Sequence, residues 1–190
     1  MPRLFTALEI PHSVAQSLSL LRGGLPGARW IDAENYHVTL RFIGDVDERF
    51  ARDAAYALAA VRRRPFRVTL DQLGSFGGDK PRAVVVKARS EPPLIELQAE
   101  QERLMRRLGA SPESRKFVPH VTLARLRGAP SSAVAAYLGV RGYFPPLTFE
   151  AERFVLFSSR DSVGGGPYVL EEEYPLAEIR TPVLSSPSAW

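Results

Sequence analysis

The chain contains 190 residues, of which 45% are hydrophobic, and it carries a formal net charge of +4. This length and composition suffice for one substantial core, or for two small lobes that share one. Because cysteine is absent, disulfides, thiolate nucleophiles and cysteine-ligated zinc are excluded. No segment approaches the roughly 20 apolar residues of a membrane span, and the N-terminus lacks a signal-peptide pattern, so we expect a cytoplasmic protein without membrane contacts.

Most of the 25 basic residues are arginine, since lysine occurs only at positions 80, 87 and 116. Arginine makes bidentate contacts with phosphate that lysine cannot make, and a positive net charge favours anionic partners. An arginine-rich composition also follows from a GC-rich genome, however. The charge therefore supports a phosphate-binding function only in combination with a specific site.

The first part of the chain shows alternating strand and helix patterns. The opening strand ends at Pro11, and Asp47 can cap a later helix. The predicted elements are, in chain order, a strand at 3–10, a helix with the apolar stripe Val14, Leu18, Leu21 and Leu25, a short strand at 30–31, a strand at 36–43, a helix with the stripe Phe50, Ala54, Ala57, Leu58 and Val61, and strands at 66–73 and 83–88.

The second part continues this alternation. Pro92 and Pro93 open the clearest helix, and Gly109 ends it. After it we predict a strand at 117–126, a helix at 131–138, a strand at 147–157, a glycine-rich turn at 164–167 and a strand at 168–174. The segment 181–190 lacks periodicity, so we expect a flexible tail after a single α+β domain that spans 1–180.

The tetrapeptide H-V-T-L occurs twice, beginning at His37 and at His120, in a chain with only three histidines. In a strand, residues i and i+2 share a face, so each histidine lies beside the threonine two residues later. One such pair is typical of a core histidine bonded to a hydroxyl. Two identical pairs favour a pseudo-symmetric site that moves two protons around one phosphate. His12, at a predicted helix start, is expected to be a surface or capping residue.

Other kinds of site fit the sequence less well. Neither copy of H-V-T-L has Asp or Glu at ligand spacing, so a metal is not expected. Arg41 shares the strand parity of His37, and Arg125 lies five residues past His120, so cations occupy positions that would repel a metal and attract a phosphate. No G-x-S-x-G nucleophile elbow is present, and the glycines at 164–166 lack the sequence of a phosphate-binding loop.

Two blocks surround the histidines: W-I-D-A-E-N-Y-H-V-T-L-R-F-I-G-D-V at 30–46 and P-H-V-T-L-A-R-L at 119–126. With R-L-F-T-A-L at 3–8 and F-S-S-R at 157–160, they resemble the two-histidine phosphoesterase superfamily, and within it the LigT-like RNA 2′,3′-cyclic phosphodiesterases. The resemblance implies a bilobal, pseudo-symmetric α+β fold. Two antiparallel or mixed sheets would face a central cleft, with helices packed outside and with no metal or other cofactor.

The resemblance also implies a role for each site residue. It makes His37 the proton donor and His120 the proton acceptor, while phosphate oxygens would be held by Thr39, Thr122 and Arg125. Strict alternation from His120 places Arg125 on the opposite face, so the strand must end or bulge after Leu123, or the side chain must reach round.

Two further residues are weaker candidates. Arg41 is a further phosphate-binding candidate, and Phe5 is a candidate for stacking on a base. The chain has valine at positions 84–86, where many relatives carry an aromatic residue in the strand. A base-stacking role is therefore not expected there.

The implied reaction is metal-independent hydrolysis of an RNA-terminal 2′,3′-cyclic phosphate to a 2′-phosphate by paired-histidine acid-base catalysis. The partners would be RNA ends or oligonucleotides, and we expect a monomer without an obligatory protein partner. Two alternatives remain open. The same site could support 2′,5′-phosphodiesterase activity or 2′-5′ RNA ligation, or the protein could bind RNA ends without catalysis.

Overall fold

The computed structural model describes residues 2–159 and 166–177. The predicted tail at 181–190, Arg160 of the F-S-S-R block and two glycines of the predicted turn lie outside these residues. Within them the chain forms nine strands: β1 (Arg3–Glu9), β2 (Ala28–Trp30), β3 (His37–Asp45), β4 (Phe66–Phe76), β5 (Ala83–Ala88), β6 (His120–Leu126), β7 (Leu147–Ala151), β8 (Arg153–Ser159) and β9 (Val169–Pro175). It also forms a 3-10 turn (Ala33–Asn35) and the helices α1 (His12–Ser19), α2 (Glu48–Leu58), α3 (Pro92–Arg107) and α4 (Ser131–Arg141).

The helices begin and end where local chemistry predicts. The Asp47 carboxylate accepts a hydrogen bond from the Phe50 backbone N–H at 2.7 Å and so caps α2. Helix α3 begins with Pro92 and Pro93, whose missing N–H groups need no partner there, and it ends just before Gly109, whose φ is +95°. His12 is exposed at the start of α1, as expected. No helix of the described residues has the length and apolar character that a bilayer span requires.

The nine described strands form one sheet in which all paired neighbours are antiparallel. The strand order is β7-β4-β5-β6-β3-β1-β8-β9, and β2 pairs with β6 off this path. At its centre β3 and β6 have one registered pair, Val38 with Val121. The predicted α+β class is confirmed. The two expected sheets are the two halves of one sheet, and this single pair joins them.

The single strand predicted at 147–157 is wrong. Residues on either side of Glu152 form β7, which pairs with β4 in one half, and β8, which pairs with β1 in the other half. Apolar residues alternate with polar ones in β7, whereas residues 154–157 of β8 are all apolar, and no glycine or proline separates the two strands in the sequence. Because Glu152 alone connects strands of opposite halves, the sheet curves until the two halves approach each other there.

The main core lies on the face of the sheet that is covered by helices. Val38, Leu40, Val121 and Leu123 are at most 3% exposed and belong to one cluster with Leu97 and Met105 of α3. Because side chains alternate along a strand, this packing leaves the histidine and threonine of each motif on the other face. The core therefore fixes the orientation of the motif residues.

Candidate active site

The four motif side chains surround the pair that joins the two halves of the sheet. Val38 and Val121 are fully buried, whereas His37 and Thr39 on one strand and His120 on the other are only partly buried. Extending the antiparallel register by one residue in each direction places His37 opposite Thr122 and His120 opposite Thr39. The two histidines thus occupy diagonal corners of a rectangle, and such diagonal positions lie about 7–8 Å apart.

The two imidazoles are held in the same way. The Nδ1 atom of His37 lies 2.8 Å from the Asn35 carbonyl oxygen, and that of His120 lies 2.6 Å from the Val118 carbonyl oxygen. Because a carbonyl only accepts hydrogen bonds, each Nδ1 carries a proton and donates it. In the neutral ring this leaves Nε2 as the basic nitrogen. The Nε2 atom of His37 lies 3.1 Å from the hydroxyl oxygen of Thr39.

Burial lowers the pKa of both histidines. The pKa of His37 falls to about 4, chiefly because burial disfavours the charged ring; the Asn35 carbonyl opposes the shift, and positive charge at His120 and Arg125 adds to it. Burial is also the main cause that lowers the pKa of His120. The hydrogen bond to the Val118 carbonyl opposes this shift, and the positive charges of Arg125 and Lys87 lower the pKa further. Near neutral pH both rings are therefore neutral in the free protein.

A β-bulge after each motif decides which later residues face the cleft. In β6 the partners of Val85 and Val84 are Thr122 and Ala124, so Leu123 is the additional residue. Leu123 and Ala124 are consecutive and both fully buried, after which Arg125 is exposed. Of the explanations left open for Arg125, the structure shows the bulge, which returns this arginine to the face of His120 and Thr122.

The same bulge occurs in β3 and overturns the prediction for Arg41. The partners of Ala7 and Thr6 are Thr39 and Arg41, so Leu40 is the additional residue. Arg41 consequently points toward the core, is 5% exposed and forms an ion pair with Glu102 of α3 at 2.5 Å. The prediction that Arg41 binds phosphate is wrong because it assumed strict alternation. Phe42 takes the corresponding place on the cleft face.

His37 is surrounded by aromatic rings. Its ring centroid lies 5.1 Å from that of Phe5, 5.1 Å from that of Tyr168 and 6.2 Å from that of Phe157. Phe5 lines the cleft but is only 5% exposed, because it also packs against Phe157 and Tyr168. Little of Phe5 is left for a base, and its visible role is to hold the His37 ring.

His120 has a different environment. The rings of His120 and Phe76 pack edge to face, with their centroids 4.8 Å apart. Lys87 is the cross-strand partner of His120, and its Nζ lies 6.0 Å from the centroid of Phe76. One histidine thus lies in an aromatic surrounding, whereas the other lies beside cationic side chains.

A cleft of about 1190 Å³ extends from the His37 side of the site and is rich in arginine. His37, Thr39 and Arg125 line it, together with four arginines that were not among the predicted site residues: Arg3, Arg29, Arg82 and Arg127. Arg125 and Arg127 share a strand parity, and Arg29 pairs with Arg125 across β2 and β6. The R-x-R spacing was a usable signal, but the pairing of β2 with β6 was not visible in the sequence.

The two histidines do not belong to an evident metal centre. In the described parts of the chain, no group of three or more His, Asp and Glu side chains is close enough to hold a metal ion. The charged neighbours of His120 are Arg125 and Lys87, which suit an anion. The arrangement can hold a phosphate group and exchange protons with it from two sides.

Comparisons with known proteins agree with this geometry. The sequence model of the 2′-5′ RNA ligase superfamily matches residues 11–162. A protein of Aeropyrum pernix named RNA 2′,3′-cyclic phosphodiesterase is 42% identical over 113 residues, which cover 58% of this chain and 64% of that relative. The chain therefore spans slightly less than two thirds of this relative. A Thermotoga maritima protein of the same name is 31% identical over 165 residues, 83% of this chain and 86% of the relative.

A solved structure extends the likeness to the whole fold. The crystal structure of E. coli LigT complexed with 3′-AMP has a TM-score of 0.77 and 26% identity, and the match covers 94% of this chain and 100% of LigT. The family match covers most of the chain and includes both histidine motifs. The chain belongs to the 2′-5′ RNA ligase superfamily.

Proposed function

We propose that this protein hydrolyses the 2′,3′-cyclic phosphate at an RNA end to a 2′-phosphate, with His37 as proton donor and His120 as proton acceptor. The observation that carries the proposal is the placement of two histidine-threonine pairs around the Val38–Val121 bridge, beside an arginine-lined cleft. The names of the Aeropyrum pernix and Thermotoga maritima relatives support the same reaction.

The chemistry follows from the two Nε2 atoms. Nε2 of His120 removes a proton from a water molecule, whose oxygen attacks phosphorus in line with the 3′ oxygen. The bond between phosphorus and the 3′ oxygen breaks, the oxygen keeps the electron pair, and Nε2 of His37 supplies its proton. Acid and base catalysis of this kind each contribute about 100- to 10,000-fold.

The remaining site residues stabilise the charge that develops on phosphate. The hydroxyls of Thr39 and Thr122 donate hydrogen bonds to the two non-bridging oxygens, and the guanidinium of Arg125 neutralises the negative charge. Arg125 is exposed on the cleft face and lowers the pKa of both histidines, so its charge acts on both sides of the site. Donors fixed before the reaction cost no reorganisation in the transition state.

The low pKa of His37 determines at which step this residue takes up the proton that it later donates. His37 is neutral in the free protein near neutral pH, because its pKa is about 4. A bound phosphodiester anion favours the protonated ring and raises that pKa, so His37 takes up its proton together with the substrate. Once protonated, a ring in this aromatic surrounding is a strong acid toward the departing 3′ oxygen.

The direct experiment is release of 2′-phosphate from a 2′,3′-cyclic-phosphate oligonucleotide in the presence of EDTA. The wild-type protein should be active, and His37→Ala and His120→Ala should each lose at least about 100-fold. His12→Ala, which changes the exposed third histidine, is the matched control. Activity that survives in either motif variant, or binding of the oligonucleotide without turnover by the wild type, would refute the proposal.

The description of the matching family favours one second activity, 2′-5′ RNA ligation. In that reaction the 5′ hydroxyl of a second strand replaces water as the nucleophile at the same phosphorus. Incubation of a cyclic-phosphate strand with a 5′-hydroxyl strand would yield a 2′-5′-linked product. Its yield relative to 2′-phosphate decides which activity dominates.

Two further expectations accompany this function and stay predictions. A monomer without an obligatory partner can be tested by measuring the mass in solution. The cytoplasmic location requires a measurement in the cell. The RNA substrate fits the names of the relatives and the charge of the cleft.

A further inference from the structure

Lys87 lies beside His120, at a position whose equivalent in the other half of the site is acidic. Strand β5 flanks β6 on the side away from β3, and its Lys87 is the registered partner of His120. Directly opposed residues of an antiparallel pair share a face, with their Cβ atoms about 4.5–5.5 Å apart. In the other half β1 flanks β3, and the registered partner of His37 is Glu9. The two histidines therefore have cross-strand partners of opposite charge.

The ammonium group of Lys87 is held near the imidazole, and no carboxylate neutralises it. Its Nζ lies 6.0 Å from the centroid of the Phe76 ring, which packs edge to face with His120. In the part of the chain that the structure describes, Lys87 takes part in no ion pair. Glu9, in contrast, is paired with Arg153 at 2.8 Å. A positive charge thus remains on the His120 side of the site.

The proposed reaction needs a different protonation state on each ring, although the two motifs are identical. Nε2 of His120 must be free to take a proton, while Nε2 of His37 must carry one. A bound phosphodiester anion favours protonation of either ring. Burial lowers the pKa of both rings, and so does the charge of Arg125, so neither keeps the proton specifically off His120. A charge that acts on one ring only is required.

Lys87 supplies such a charge. Beyond burial, the pKa of His120 is lowered by Arg125 on its own strand and by Lys87 on β5, whereas the charges that lower the pKa of His37 are those of His120 and Arg125. Because a proton on one ring opposes a proton on the other, the pair holds one proton at a time. The cation beside His120 shifts that single proton toward His37.

We propose that Lys87 is a positioning residue for the base: its ammonium group keeps the proton that enters with the substrate on His37 and off His120. This inference rests on the proposed function. It gives a residue outside both motifs control over the direction in which protons move. Lys87 acts through His120 and takes no part in bond making, and Phe76 supports it by packing against the imidazole beneath the ammonium group.

The test is NMR spectroscopy of the ring nitrogens of the three histidines with adenosine 2′-phosphate bound. In the wild type, His37 should be protonated before His120 as the pH falls. In Lys87→Met, which removes the charge and keeps the length of the side chain, His120 should take up a share of the proton. Lys87→Arg should behave as the wild type. Lys80→Met, which removes an exposed lysine between β4 and β5, is the matched control.

A kinetic arm follows kcat for adenosine 2′,3′-cyclic phosphate along the acid side of the pH profile. Below about pH 6.5, kcat of Lys87→Met should be about 2- to 10-fold lower than that of the wild type, because His120 is protonated in a larger fraction of the complexes. The loss should shrink as the pH rises, because His120 then becomes neutral in either protein. A lysine with a merely structural role would lower kcat equally at every pH.

Three outcomes would overturn the inference: ring protonation in Lys87→Met that matches the wild type, protonation of His120 before His37 in the wild type, or a loss of kcat that is equal at every pH. The same change in Lys80→Met would also overturn it. A wild type that binds adenosine 2′-phosphate with the proton on His37, but does not hydrolyse the cyclic phosphate, would refute the proposed function alone.

Discussion

The His37 half and the His120 half of the sheet contain the same tetrapeptide, the same bulge and the same bond from Nδ1 to a carbonyl two residues earlier. Their surroundings differ. His37 is enclosed by Phe5, Phe157 and Tyr168, whereas His120 lies beside Lys87 and near Arg125. The comparison teaches that a duplicated motif supplies identical chemical groups, and that its neighbours can give those groups different tasks.

The largest expected effect concerns the position five residues after each histidine. Arg125→Gln removes a cation that lines the cleft and acts on both histidines, and we expect kcat to fall about 100- to 1,000-fold, as for other groups that stabilise transition-state charge. Thermal unfolding should be unchanged, because Arg125 is exposed. An unchanged kcat would remove Arg125 from the site and weaken its comparison with Phe42.

Removal of the arginine that directly follows the first motif should act on stability instead. Arg41→Gln leaves Glu102 without its partner in a largely buried place, and breaking such a pair costs about 3–5 kcal/mol. Urea unfolding should show this loss, with a smaller loss for the double variant that also carries Glu102→Gln. A normal free energy of unfolding with a large loss of kcat would restore Arg41 as a phosphate-binding residue.

A pH effect on stability is expected from His37, whose pKa is lowered mainly by burial. The folded pKa of His37, about 4, lies below its ordinary value near 6.5, so the unfolded chain binds a proton first as the pH falls. Stability is therefore complete above pH 6.5 and is lost between pH 6.5 and 4, by on the order of 3 kcal/mol from this residue. Urea unfolding of His37→Gln should show a shallower loss over that range, and a parallel curve would contradict the low pKa.

A smaller effect is expected from the hydroxyl of each motif. Thr122→Val removes one donor to a charged phosphate oxygen, and this loss should weaken binding of a 2′-phosphate product about 10-fold or more without unfolding the protein. Thr39→Val should weaken binding similarly and also free the His37 ring, whose Nε2 lies 3.1 Å from that hydroxyl. Calorimetry and the pH profile of each variant measure the two effects. If Thr39→Val and Thr122→Val changed product binding and the pH profile equally, the proposed difference between the two histidine sites would be contradicted.

The smallest effect concerns the arginines of the cleft wall. None of the ion pairs among the described residues involves Arg82 or Arg127. Replacing both by Gln should weaken binding of an oligonucleotide and reduce its salt dependence by about 0.7 in slope per lost phosphate contact. Binding of adenosine 2′-phosphate serves as the control and should change little. An unaltered salt slope would show that the RNA strand runs elsewhere.

The sequence predicted the orientation of the motif residues but not that of the residue after the first motif. The period-2 pattern placed His37 and Thr39 on one face and Val38 in the core, because alternation is a local property of a strand. The prediction for Arg41 was wrong because a bulge is a pairing property of two strands, which only the register with β1 reveals.

The same limit applies to the fold. Helix α3 was predictable from its prolines and apolar stripe, which are local signals. The break at Glu152 was not predictable, because β7 and β8 are separated by their choice of different partner strands. The environments of His37 and His120 likewise depend on distant residues such as Tyr168 and Lys87.

The central claim is that identical motifs have opposite proton roles, and a substrate with sulfur in place of the bridging 3′ oxygen tests it most directly. A thiolate leaves without being protonated, so this substrate needs a base but no acid. We predict that it largely restores the activity of His37→Ala, and that His120→Ala remains inactive on both substrates. Rescue of His120→Ala instead, or of neither variant, would contradict the assignment.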